Sequence, residues 1–125
     1  MKHFGNFAKV YANLSDYRLA LMDQAAATGL PLMRPLMLHY ANDAEVWAPS
    51  LSRSQYLFGK EFLVTPCVSA GSVHTLVYLP ANSGPWIHLW SNNVITLQDG
   101  AGGERMTVPS SVGYPAVFFL QYSIK

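Results

Sequence analysis

Charge is the scarcest thing in this chain. Only 12% of its 125 residues are charged, and the net charge is +1; an average soluble domain carries about 25% charged residues. No strong field is available to attract phosphate polymers or acidic membranes, so nucleic acid is not an expected partner. So few charges also leave little polar material to cover a free surface, which is proportionally largest in small domains. A tightly packed domain is one reading. A chain that buries surface against something beyond itself is the preferred one. A single cysteine, Cys67, rules out an internal disulfide framework. It lies in the apolar run FLVTPCV, which suits an inert buried thiol better than a nucleophile. No apolar run reaches the roughly 18 residues of a membrane helix, and the N-terminal MKHFGNFAKVYANL lacks the apolar core of a signal peptide.

Chemical motifs are equally sparse. The four histidines, His3, His39, His74 and His88, show no metal-ligand spacing, so no metal is predicted. No GxSxG elbow occurs. The DGAGG run over 99–103 predicts a turn and lacks the Lys-Ser/Thr of a phosphate loop. The seven acids do not suggest a pair of carboxyl groups set up for general acid–base work. Asp16 and Asp23 fall on a solvated helix face, Asp43 and Glu45 in a loop, and Asp99 and Glu104 beside the glycine turn. Glu61 opens a strand.

What is present is pattern. Phe4, Phe7 and Tyr11 share one helical stripe, and Leu14, Tyr17, Leu21 and Ala25 another. Helices are predicted over about 2–12 and 15–28, the second capped by Asn13 or Ser15 and stopped by Gly29 and Pro31. Residues 30–40, LPLMRPLMLHY, predict a strand buried on both faces, as in a parallel α/β sheet, with Pro35 ending or bending it. A short helix is expected over 51–58. After Gly59 come strand-like runs at 61–65, 73–79, 86–90, 94–97, 105–108 and 116–121, separated mostly by turn residues.

Individual side chains stand out against this pattern. Arg34 inside an apolar strand requires a partner, because a lone buried charge is costly; a structural ion pair is favoured over a substrate contact. His39 falls at the C-terminal end of the expected strand, the end where barrel active sites form, and is the one candidate substrate-binding residue. A hydrogen-bonded structural histidine is the competing interpretation. Trp86, His88 and Trp90 alternate at period two and should share a sheet face. They could stack on sugars, although packing against a neighbouring segment is favoured.

Several segments, in order, resemble glycoside hydrolase family 31. They are GLPLMRPLMLHYAND over 29–43, QYLFG over 55–59, FLVTP over 62–66, VYLP over 77–80, WIHLW over 86–90 and YPAVFF over 114–119. The first is especially similar to the sulfoquinovosidase-like branch, although Ala41 stands where the family usually has proline. The resemblance implies an α+β chain from the C-terminal end of the enzyme. Residues 1–58 would be the last helix-strand-helix slice of a (β/α)8 barrel, and 59–125 an antiparallel β-sandwich domain. The family's catalytic aspartates and its R-x-H segment would lie upstream, so no catalytic residue is carried over and no cofactor is implied. The expected partners are the missing N-terminal barrel segment and, through the full-length enzyme, a carbohydrate substrate. The alternatives are a non-catalytic carbohydrate-binding or interaction module and a truncated product without function. With a lone barrel strand at 32–38, the isolated chain is expected to be partly unfolded, oligomeric or chaperone-dependent.

Overall fold

The computed structural model describes residues 2–81, 83–98 and 102–121. They fall into two compact units, up to Leu32 and from Met33 onward.

The first unit is a helical pair, α1 (Lys2–Asn13) and α2 (Ser15–Thr28). Neither expected cap forms: Leu14 occupies the N-cap position without a side-chain bond. Arg18 instead ties the helices together, donating to the Tyr11 carbonyl and lying over the Tyr11 ring. Gly29 ends α2 as its position predicts. It takes a left-handed φ of 77°, open to glycine without steric cost, and its N–H closes on the Ala25 carbonyl.

The second unit is built mostly of antiparallel β-sheet. Its strands are β1 (Met33–Arg34), β2 (Tyr56–Phe58), β3 (Phe62–Thr65), β4 (His74–Leu79), β5 (Trp86–His88), β6 (Val94–Ile95), β7 (Glu104–Pro109) and β8 (Ala116–Leu120). Six form one sheet in the order β1-β2-β3-β8-β5-β6, and β4 pairs with β7 in a second. In β3 the alternation places Leu63 and Thr65 inside, with Phe62 and Val64 half-covered. Leu57, Leu63, Val77, Leu79, Trp86, Ala116, Phe118 and Leu120 are buried in one core between the sheets. Burying each large apolar side chain contributes roughly 1.5–3 kcal/mol.

The segment 30–40 corrects the expectation of a buried parallel strand. Only Met33–Arg34 form a strand, paired antiparallel to Phe58 and Leu57. Pro35 has no amide to continue the ladder, and a 3-10 turn over Leu36–Leu38 follows. An unbroken apolar run has no periodicity to separate a strand from a buried turn, and here Leu36 plugs the core from that turn. The helix expected over 51–58 is also shorter. After a 3-10 turn at Ala44–Trp47, α3 covers Pro49–Ser52, and the chain then becomes β2. The sheet therefore runs through Gly59, with β1 and β2 before it and β3 after it. Leu36, Val46 and Leu51 share a core with Trp86 and Phe118. The expected turn at Asp99-Gly100-Ala101 lies outside the described residues.

Candidate functional site

The segment between β1 and α3 carries a buried carboxylate, Asp43. Asp43 Oδ1 accepts the Glu45 amide at 3.1 Å, while Oδ2 accepts the Tyr78 hydroxyl at 2.6 Å and the Ala81 amide at 2.8 Å. Charge-assisted bonds of this kind are about twice as strong as neutral ones. Burial first, and then the bond to Asp43, raise the Tyr78 phenol well above its usual range, so it remains a neutral donor. On the backbone side, Gln55 clamps Tyr78: its Oε1 accepts the Tyr78 amide at 2.9 Å and its Nε2 donates to the Tyr78 carbonyl at 2.8 Å. Gly103 completes the packing, since a Cβ there would overlap the Tyr78 hydroxyl and the Leu79 carbonyl. Glu45 pairs with Arg105, whose guanidinium lies 5.7 Å from the centre of the Tyr78 ring. Both partners are about half exposed, so the pair contributes little to stability.

His39 follows the 3-10 turn as its C-cap rather than ending a barrel strand. Its Nε2 lies 3.0 Å from Nη1 of Arg34, a residue only 2% exposed. A guanidinium can only donate, so the imidazole accepts through Nε2 and carries its proton on Nδ1. Burial, then Arg34 and then Lys60 hold its pKa below 6.5. His39, Tyr40, Asn42, Asp43, Lys60 and Ser83 line a polar cavity of about 270 Å³. Arg34 thus has a partner in His39, alongside further interactions.

A larger, mostly apolar cleft of about 620 Å³ opens elsewhere in the β unit, lined in part by His88, Trp90, Asn93, Met106 and Tyr114. The alternation expected through Trp90 stops at His88, where β5 ends. Trp86 is wholly buried, with its Nε1 donating to Ser83 Oγ at 2.7 Å. Trp90 sits beyond the strand, donating to the Pro115 carbonyl at 2.7 Å and standing edge-on to Tyr114.

The buried carboxylate, Asp43, is engaged by three donors, and no group of three His, Cys, Asp or Glu is placed to hold a metal ion among the described residues. Sequence reasoning singled out His39 and Arg34 but missed the roles of Gln55, Tyr78 and Gly103. The QYLFG and VYLP segments pointed at two of these residues without showing that they meet.

Comparison with known proteins agrees with this architecture. The chain is 40% identical over 119 residues to a sulfoquinovosidase of Agrobacterium fabrum, an alignment covering 95% of this chain and 17% of that protein. A family 31 sulfoquinovosidase from E. rectale superposes with a TM-score of 0.78 at 31% identity, covering 93% of this chain and 16% of that one. A family 31 dextranase of Flavobacterium johnsoniae gives 0.72 at 36% identity, covering 84% and 12%. The chain thus spans about a sixth of the length of the sulfoquinovosidases it matches. Residues 29–121 match the glycosyl hydrolase family 31 C-terminal domain, and the chain belongs to that family.

Proposed function

We propose that this chain is the C-terminal part of a retaining α-glycosidase that hydrolyses O-glycosidic bonds. Its role is to support the catalytic barrel rather than to supply the reacting acids. The observation carrying this reading is the match of residues 29–121 to the family's C-terminal domain, in a chain whose buried carboxylate is fully engaged in structural bonds. In this reading the barrel's share of residues 1–58 is the helical pair over 2–28. Residues 33–58 stay with the β domain that continues over 59–125. The full enzyme would form a glycosyl-enzyme intermediate on one upstream carboxylate and use a second as acid/base. The similarity to sulfoquinovosidases makes an aryl α-sulfoquinovoside the first substrate to try, beside an aryl α-glucoside.

The purified chain should turn over neither compound, whereas the longer protein carrying it should hydrolyse one with retention at the anomeric carbon. Turnover by the chain alone, abolished by Asp43→Asn, would overturn the reading. The cleft bearing Trp90 and Tyr114 favours a second reading, a carbohydrate-binding module. Saturable binding of an α-glucan by the chain, lost in Trp90→Ala without a loss of stability, would put that reading ahead.

A further inference from the structure

The polar cavity of about 270 Å³ beside the Tyr40–Asp43 turn has more donors in its walls than the chain supplies with acceptors. Asp43 N–H to Tyr40 O at 3.0 Å closes the turn. Its two central residues, Ala41 and Asn42, both line the cavity, and their backbone amides donate to no group among the described residues. The Asn42 side-chain amide has no partner there either. Successive backbone N–H groups in a turn make concavities that suit anions.

Lys60 lines the same cavity from the turn between β2 and β3, just beyond the pairing of Phe58 with Phe62, and makes no ion pair among the described residues. Its ammonium is a compact charge with three donors. His39 gives Nε2 to Arg34 and keeps its proton on Nδ1, which has no acceptor among the described residues. The charges that act on this ring, Arg34 and Lys60, are both positive. Asp43, the carboxylate among the described lining residues, is already engaged by Glu45, Tyr78 and Ala81. Ser83 Oγ accepts from Trp86 and donates to the Pro80 carbonyl. The donors left over suit an acceptor that carries several oxygens.

We propose that this cavity binds a small tetrahedral oxyanion of the sulfate or phosphate type, held by the Ala41 and Asn42 amides, the Asn42 side chain, Lys60 and His39 Nδ1–H. Such a group presents oxygens in every direction to donors spread around a cavity, whereas a carboxylate presents its oxygens in one plane. Bonds to it are charge-assisted and about twice as strong as neutral ones. The oxyanion is a free ion or the acidic group of a larger molecule, with the same chemistry at the site. All of these residues belong to the β unit, so the site is complete without the upstream barrel.

Sodium sulfate and sodium phosphate, titrated into the full 125-residue chain with chloride holding the ionic strength constant, test this by nuclear magnetic resonance. The Ala41 and Asn42 amides should shift and saturate. The titration midpoint of His39 should rise, because a bound anion favours the charged ring. His74, exposed on β4, is the internal control and should not respond. Lys60→Met should weaken binding by about threefold or more. Glucose 6-phosphate binding more tightly than inorganic phosphate would make the oxyanion part of a larger ligand, and equal binding would make it the free ion. Shifts that never saturate, an equal rise at His39 and His74, or unchanged binding in Lys60→Met would overturn the proposal. Crystals of the longer protein carrying this chain, grown from ammonium sulfate, decide the matter however the isolated chain folds. Sulfate on the Ala41 and Asn42 amides is expected, and its absence there would overturn the proposal.

Discussion

The helical pair and the β unit treat their apolar side chains in opposite ways. In the β unit, Leu57, Leu63, Trp86, Phe118 and Leu120 are completely buried, and even the polar Gln55 and Asp43 are enclosed with their bonds made. Among the described residues of the helical pair only Leu21 is buried, while Phe4 is 81% and Tyr11 66% exposed, with Leu19 and Met22 also open. A helix can space its apolar residues correctly and still have nothing of its own to put against them. A pair of sheets with alternating side chains supplies both walls of its core. Most helical stability comes from tertiary packing of the apolar face, and the two helices bury far less of theirs than the β unit does. This contrast fits the proposed split between a barrel's last helices and a self-sufficient β domain.

The sharpest test of the contrast is Trp86→Ala. It should lower stability by about 3–5 kcal/mol in chemical denaturation, the usual cost of emptying a large buried aromatic site. A loss below roughly 1 kcal/mol would mean that the core is less closed than its burial indicates. Next, Asp43→Ala leaves the Tyr78 hydroxyl and Ala81 amide without their acceptor. About 2–3 kcal/mol should be lost, because buried donors left unmade carry their full desolvation cost. Gly103→Ala presses on the same Tyr78 from the other side and should cost about 1–3 kcal/mol, like other overpacked sites.

Acid should act on the β unit as well. Burial lowers the pKa of both His39 and His88 from 6.5, with Arg34 and Lys60 adding to the effect at His39. Below 6.5 the unfolded chain then binds more protons than the folded one. The stability from keeping these rings neutral is complete above that pH and is lost as pH falls through the lowered folded values. Denaturation midpoints should therefore drop between about pH 7 and about pH 5. His39→Gln should remove part of the drop and leave the share due to His88.

The smallest effect on folding belongs to the helical pair. Phe4→Ser with Met22→Ser should change the stability of the β unit by no more than about 0.5 kcal/mol. The same double variant should reduce self-association in sedimentation, because exposed apolar surface drives it. A lone barrel strand at 32–38 would leave the chain partly unfolded, oligomeric or chaperone-dependent. In the structure β1 is only two residues long and is paired with β2, so the exposed helix faces are the better source. Unchanged association would shift attention to the Trp90 cleft.

Local chemistry in the sequence determined a good part of this protein. The two helices, the stop at Gly29 and the six strand-like runs after Gly59 follow from period, punctuation and backbone freedom, each decided within a few residues. The family resemblance was likewise legible, because ordered motifs need no coordinates to compare. Only the tertiary structure decided the course of 30–40, since an apolar run without periodicity fits a barrel strand as well as an edge strand followed by a turn. It also decided that the strand after α3 joins the sheet as β2, that Trp90 leaves the strand holding Trp86, and that Gly103 must lack a side chain. Asp43 meets Tyr78 across 35 residues of sequence, and Gln55 meets the same residue across 23. Such contacts depend on which strands lie side by side, and sheet pairing brings distant residues together without leaving a periodic trace in the chain.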